Sequence, residues 1–211
     1  TDKIKIEHNK EKFKVALKTI NNVFNQNQEI PFIDDMGWNI LSKLSNHRKM
    51  KDYNFIRNKR GELDLTQYKY CILKDKPTDY RLVRGNMITK DGVVDKNNEF
   101  VEIESFINKK SKDFVENDFN RKRLICQQIS NIDRRKRLTF TFSEPKDILA
   151  NSCNYINSLR NFDDLDKLHY LFNSELLNWR FKVTSSNNHI NNYELNELPI
   201  LDLDKLEINQ F

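Results

Sequence analysis

The sequence predicts an α+β fold, in which a mixed or antiparallel sheet is flanked by a few helices. Two observations support this prediction. Apolar residues recur at helical spacing near both ends of the chain, whereas its middle consists of short segments separated by turn residues. The 211 residues include 14 Phe, 7 Tyr and 2 Trp, which is enough apolar bulk for a packed core and disfavours intrinsic disorder.

The first predicted helix spans residues 10–25. Phe13, Leu17, Ile20 and Phe24 recur there at intervals of four, three and four residues, and the opposite face is rich in Lys. This pattern is typical of an amphipathic, basic helix. The other predicted helices are one that begins at Asp35 as its N-cap, one over residues 163–181 and one that starts within residues 201–208.

Strands are predicted where short apolar segments lie between turn residues. Thr139, Phe140, Thr141 and Phe142 alternate hydroxyl and ring, which is the period of a half-buried strand. The predicted strands are residues 67–73, 80–84, 123–129 and 138–142, with a strand pair within residues 148–156. The predicted turns are Arg84-Gly85-Asn86 and Asp91-Gly92.

The composition limits the domain organisation and the setting of the protein. With only four Gly and four Pro, no flexible interdomain linker is visible, so residues 1–30 form a basic helical segment and residues 31–211 one domain. Three widely spaced cysteines fit neither a disulfide framework nor a CxxC metal site, and indicate buried thiols in a reducing, cytoplasmic setting. No run approaches the roughly 18 apolar residues of a membrane-spanning helix, so no membrane partner is expected.

Positive charge is concentrated in one part of the chain. Lys+Arg total 36 against 31 Asp+Glu, and between residues 121 and 137 seven basic residues are opposed only by Asp133. Cations in a loop between two strands suit DNA phosphates, and amide side chains beside them suit adenine edges. The candidate DNA-binding residues here are Arg121, Arg123, Gln127, Gln128, Asn131, Arg134, Arg135, Lys136 and Arg137. The alternative is a solvated hairpin loop whose charges only maintain solubility.

A second candidate segment is the loop over residues 184–192, which is rich in Asn and Ser. Ser185, Asn187, Asn188 and His189 are the candidate DNA-binding residues in it. The alternative is a network of side-chain to backbone hydrogen bonds at a helix exit, because Asn and Ser favour turns for local reasons. We expect a structural loop that lies near the DNA backbone.

No catalytic residue or metal ligand is predicted in this chain. Its four His residues pair with no Cys or carboxylate at metal-ligand spacing. Glu144-Pro145-Lys146 has the spacing of a nuclease ExK pair, but Pro145 indicates a turn. Neither an NPPY-type tetrapeptide, which would hold a flipped adenine, nor a Gly-bearing loop for S-adenosylmethionine is present.

Several segments together resemble the TaqI-type C-terminal specificity domain of adenine-specific DNA methyltransferases and fused restriction-modification enzymes. The closest resemblance is to the methyltransferases of type IIS systems. Near the C-terminus, the segments are LFNS (residues 171–174), LLNWRFK (176–182), TSSNNHINNYE (184–194) and LPI (198–200), with Leu201 where the family has Pro. Upstream, they are RGELDL (60–65), RLVRGNMI (81–88), LICQQIS (124–130) and NSCNYI (151–156).

The resemblance implies a target-recognition domain over residues 31–211. Such domains hold duplex DNA against a Rossmann-like methyltransferase domain of the same protein, which extrudes the adenine. The expected partners are therefore double-stranded DNA and a catalytic domain N-terminal to Thr1. S-adenosylmethionine is expected there, and no cofactor in this chain. Two other functions remain open: a divergent metal-dependent endonuclease domain, and a subunit-docking domain that uses the apolar face of residues 163–181.

Overall fold

A computed structural model describes residues 3–8, 11–24 and 30–207, which form an α+β fold as predicted. The helices in these ranges are α1 (Leu17–Val23), α2 (Asp35–Leu44), α3 (Ile103–Ile107), α4 (Lys112–Asn117), α5 (Asp163–Phe172), α6 (Glu175–Thr184) and α7 (Asn192–Asn196). The strands are β1 (Lys3–His8), β2 (Glu11–Ala16), β3 (Ile56–Arg60), β4 (Ile72–Lys74), β5 (Leu82–Val83), β6 (Ile88–Thr89), β7 (Gly92–Val93), β8 (Glu99–Val101), β9 (Arg123–Gln127), β10 (Phe140–Ser143), β11 (Ile148–Leu149) and β12 (Cys153–Ser158).

The centre of the fold is a four-stranded antiparallel sheet in the order β10-β9-β12-β3. Because neighbouring strands run in opposite directions, β9 and β3 end where β10 and β12 begin. We call this end of the sheet the Gln127 end, after the last residue of β9, and the opposite end the Arg123 end, after the first residue of β9. The small β5–β11 pair is parallel, so the fold as a whole contains both pairings.

The two central strands, β9 and β12, are covered on both faces of the sheet, and their residues are almost continuously buried, including Asn154 and Asn157 of β12. Leu124 and Cys126 of β9 belong to the cluster that α5 and α6 complete with Phe172 and Phe181. Ile125, between them, lies in a second cluster with Tyr155 of β12. The strands predicted over 123–129 and 138–142 are confirmed as β9 and β10, with their ends shifted by up to two residues. Residues 148–156 contain two strands, β11 and the start of β12, but they do not pair with each other: β11 pairs with β5, and β12 with β9 and β3.

The predicted helix over residues 10–25 is wrong in its first half. Phe13 lies on β2, where its Cα partner is Ile6 of β1, and a helix is present only in α1. Lys12, Phe13, Lys14 and Val15 also alternate polar and apolar, and pairing with β1 selects this period of two. Residues 10 and 25 themselves lie outside the described ranges.

The N-terminal ribbon and α1 share one apolar cluster with the rest of the chain. Buried Ile20 packs there with Trp38 and Leu41 of α2, and half-buried Trp179 of α6 completes the contact. The prediction of α2 is confirmed, except that the N-cap is Asp34, whose side chain accepts a hydrogen bond from the Gly37 N–H at 2.8 Å. The basic segment over residues 1–30 is thus part strand and part helix.

The predicted helix over residues 163–181 is two helices, α5 and α6. Asn173 separates them, because its side chain accepts from the Phe140 N–H at 3.0 Å and donates to the Phe140 carbonyl at 3.0 Å. Ser174 then caps α6 through the Leu177 N–H at 3.2 Å. At the C-terminus, residues 203–205 form only a turn, and the predicted helix is absent up to residue 207.

The observed secondary structure differs most from the predicted one in the segment between α2 and β9. Residues 67–73 form the 3₁₀ turn Lys69–Cys71 and the start of β4 in place of one strand, and β3 was not predicted because IRNKR shows no alternation. The 80–84 strand is confirmed as β5. The predicted 84–86 turn overlaps the 3₁₀ turn Gly85–Met87, and Lys90-Asp91 forms the turn between β6 and β7.

Candidate nucleic-acid interface

Three distant chain segments meet at the Gln127 end of the sheet. The Gln128 N–H donates to the Ser152 carbonyl at 2.8 Å, and the Gly85 N–H to the Ser152 hydroxyl at 3.0 Å. A Cβ on Gly85 would lie 2.4 Å from the Ser152 carbonyl, so only glycine allows these two turns to come so close.

The two segments with predicted DNA-binding residues are hydrogen-bonded to each other at the same place. The Ile190 N–H donates to the Gln128 carbonyl at 2.7 Å, and the Ser130 N–H to the Asn188 carbonyl at 2.8 Å. Ile129 and His189 form a β-bridge between these bonds. Loop 184–192 therefore continues the pairing of the sheet past the last residue of β9. We call the side chains that reach solvent here the Gln127 surface: Gln127, Gln128, Ile129, Asn131, Arg134, Arg135, Asn187, Asn188 and His189.

Arg134 and Arg135 supply the positive charge of the Gln127 surface. Their backbone is held by α6, because Lys182 donates to the Arg134 carbonyl at 2.9 Å and Asn178 to the Arg135 carbonyl at 3.1 Å. Both side chains are exposed, and neither forms a hydrogen bond or ion pair within the described part of the chain. They are fixed at the backbone and free at the guanidinium, as a phosphate-binding pair requires. Lys136 is less available, because its ammonium donates to the Asn173 carbonyl.

The structure corrects the assignment of Arg137 as a DNA contact. The side chain is 1 % exposed and donates to the carbonyls of Asn187 at 2.6 Å and Ser185 at 3.2 Å, with longer contacts of 3.4 Å to those of Ser130 and His189. Burial lowers the pKa of this guanidinium, but Arg remains charged at every physiological pH. Arg137 thus fastens loop 184–192 to the end of β9.

Arg123 is also corrected, since it is 1 % exposed and lies at the opposite end of the sheet. Its guanidinium pairs with the Glu62 carboxylate at 3.0 and 3.1 Å and donates to the Asp147 carbonyl at 2.8 Å. Burial disfavours the charged form, but the attraction and hydrogen bonds of Glu62 outweigh it and raise the pKa of Arg123.

The basic run over residues 121–137 is therefore not one patch. Arg121 and Lys122 precede β9 at the Arg123 end, where the Lys122 ammonium lies 5.0 Å from the Phe142 ring. Five strand residues, about 16 Å of extended chain, separate them from Gln128. Arg121 is exposed, but the structure does not bring it to the Gln127 surface.

Loop 184–192 has the hydrogen-bond network that its Asn and Ser content indicates. Asn187 accepts from the His189 N–H at 2.7 Å, and Asn188 accepts from the Ile132 N–H at 2.8 Å. Ser185 is buried, so its side chain cannot reach DNA in this conformation, and its carbonyl accepts a hydrogen bond from the Arg137 guanidinium. The loop is structural, as expected, while Asn187, Asn188 and His189 stay exposed.

Replacing Asn188 by alanine is expected to lower the free energy of unfolding by about 0.5–1.5 kcal/mol, because the Ile132 N–H loses its acceptor. The measurement is thermal or urea unfolding. Ser186→Ala is the matched control, since Ser186 is exposed in the same loop and has no side-chain hydrogen bond within the described residues. Equal stability of both variants, combined with weaker duplex binding by Asn188→Ala alone, would instead identify Asn188 as a DNA contact.

Sequence reasoning missed the polar groups of the neighbouring turns. Arg60, at the end of β3, donates to the Asn151 carbonyl at 2.7 Å. Beside the 85–87 turn lies an open polar groove of about 590 Å³. Its lining includes Arg84, paired with Glu99 at 2.6 Å, and Lys96, which donates to the Asn86 carbonyl at 3.0 Å. The only signal in the sequence was the placement of Arg before Gly at residues 60 and 84.

The residues considered for catalysis have structural partners. Glu144-Pro145-Lys146 forms a turn, and the Lys146 ammonium lies 2.5 Å from the Asp79 carboxylate. Within the described ranges, no group of three or more His, Cys, Asp or Glu side chains is arranged to hold a metal ion. The same ranges contain no helix with the length and apolar character to cross a bilayer. All three cysteines are buried free thiols.

No protein-family model matches the sequence, and a search of curated proteins finds no significant match.

Proposed function

We propose that the chain is the sequence-specific recognition module for double-stranded DNA of an adenine-specific DNA methyltransferase or a fused restriction-modification enzyme. The observation that carries this proposal is the convergence of residues 127–135 with residues 187–189 at one end of the sheet. These two segments, about 60 residues apart in the sequence, place amides, an imidazole and two guanidinium groups without a partner among the described residues on one surface.

The chemistry of the Gln127 surface suits duplex DNA. The exposed guanidinium groups of Arg134 and Arg135 can bind phosphates and position the module, whereas Gln and Asn side chains can pair with the edge of adenine in the major groove. The hydrogen bonds that join residues 128–132 to residues 188–190 hold these side chains on a fixed frame. Preorganisation of this kind lowers the entropy lost on binding.

The proposed partners are duplex DNA and a methyltransferase domain of the same protein. That domain would bind S-adenosylmethionine and the extruded adenine, so no cofactor is assigned to this chain. The proposed setting is the cytoplasm, which is compatible with three unpaired cysteines.

The two other functions have less support from the structure. The subunit-docking hypothesis needs the apolar face of α5 and α6, but Leu165, Leu168, Phe172 and Phe181 pack into the core. The endonuclease hypothesis relied on Glu144-Pro145-Lys146, whose lysine pairs with Asp79.

Salt-dependent binding to a random pool of duplexes tests the proposal. We expect weak binding by the 211-residue chain, with a binding constant that falls linearly with the salt concentration on logarithmic axes. Sequencing of the retained duplexes is expected to recover a shared site. Absence of salt-dependent binding would overturn the proposal. Incubation with Mg²⁺ is expected to leave the duplexes intact, and cleavage that Glu144→Gln abolishes would establish the endonuclease in its place.

A further inference from the structure

Ile129 is an apolar side chain in the middle of a polar surface. It is 58 % exposed, more than any other Ile, Leu or Val in the described part of the chain. The residues around it in the chain and across the bridge include the polar Gln128, Asn131, Asn188 and His189, and the one other exposed large apolar residue of residues 128–135 is Ile132, which is 38 % exposed. Single exposed apolar residues are common on proteins, and exposure alone would carry no inference.

The backbone on both sides of Ile129 is held firmly. The preceding residue bonds through its N–H to Ser152 and through its carbonyl to Ile190, and the following residue donates to the Asn188 carbonyl. The Arg137 guanidinium, 1 % exposed, supports this arrangement from inside. Because Ile is β-branched, its side chain also has few rotamers. The fold thus projects a rigid apolar group into solvent beside two amides.

The residues near Ile129 indicate which kind of partner its side chain contacts. Arg134 and Arg135 favour a polyanion, and the amides of Gln128 and Asn131 suit adenine edges. In the major groove, the apolar group that the bases present is the C5-methyl of thymine, which pairs with adenine. An apolar residue on a surface that also carries amide side chains is therefore complementary to a segment that contains A·T pairs.

We propose that Ile129 is a specificity-determining residue that contacts the 5-methyl group of a thymine in the recognised site. This inference rests on the proposed function, since it requires that the Gln127 surface enters the major groove. It specifies which base the module recognises through this residue, thymine, and which group of that base is contacted, the 5-methyl group.

The test compares thymine with deoxyuridine, which lacks the methyl group but keeps the same hydrogen-bonding groups. The probe is the duplex recovered most often from the random pool, synthesised with either base. The protein is expected to bind the deoxyuridine duplex about fourfold more weakly for each methyl contact that is lost. Ile129→Ala is expected to bind both duplexes equally, with the affinity of the native protein for the deoxyuridine duplex. Its melting temperature should stay close to that of the native protein, because the side chain is mostly exposed.

Leu159→Ala is the matched control. Leu159 is 50 % exposed and follows β12 at the Arg123 end, so this variant should retain the full preference for thymine. Equal binding of both duplexes by the native protein would overturn the methyl contact and leave the proposed function intact. A loss of affinity in Ile129→Ala that leaves the thymine preference unchanged would also overturn it, because the residue would then contact another group. Failure to bind either duplex would overturn the proposed function itself.

Discussion

The double replacement Arg134→Ala/Arg135→Ala is expected to reduce the salt dependence of duplex binding by about 1.8 on logarithmic axes. Each cation that neutralises a phosphate releases condensed counterions, and each contact on B-form DNA contributes about 0.9 to the slope. Both guanidinium groups are exposed and have no partner within the described residues, so the fold should not depend on them. The measurement is a salt titration of the binding constant between about 50 and 200 mM.

Arg121→Ala/Lys122→Ala is the control, because it removes the same net charge at the other end of the sheet. We expect its slope to equal that of the native protein. Equal reductions in both variants would show that only the total charge of the protein attracts DNA. An unchanged slope in Arg134→Ala/Arg135→Ala would support the alternative of a solvated loop.

Replacing Arg123 by alanine is expected to lower the free energy of unfolding by about 3–5 kcal/mol, because it leaves a buried carboxylate without its partner. Glu62 accepts from Arg123 at 3.0 and 3.1 Å and from the Leu149 N–H at 2.9 Å, and its side chain is 4 % exposed. The change removes an ion pair that joins β9 to the residues after β3. Urea unfolding at neutral pH measures the loss.

Arg121→Ala serves as the control for this experiment, with an expected change of no more than about 0.5 kcal/mol for an exposed residue. The double variant Arg123→Met/Glu62→Gln should recover much of the lost stability, because it removes both buried charges while the amide oxygen at position 62 can still accept from the Leu149 N–H. A loss below about 1 kcal/mol in Arg123→Ala would contradict the role that we assign to this pair. If Arg123→Ala does not fold, the double variant still tests the same point.

Local sequence patterns were sufficient to predict a helix or a strand where one hydrophobic period dominated the segment. The strands β9, β11 and β12 were predicted from short apolar segments between turn residues, and α2 from its apolar spacing. The pattern failed at Phe13, where residues fit both a period of 3.6 and a period of 2. Pairing of β2 with β1 decided between them, and such pairing depends on residues outside the local window.

The sequence by itself determined which segments carry the chemistry: a basic run over residues 121–137 and an Asn-rich loop over residues 184–192, with no motif for catalysis. Only the tertiary structure decided which arginines of that run face solvent. Arg123 and Arg134 look alike along the chain, but Arg123 is buried because Glu62, 61 residues upstream, neutralises it inside the fold. Arg137 is buried because the carbonyls of the distant loop surround it. Burying a charge is tolerable only where such partners exist, and their positions are set by strand pairing across the whole domain.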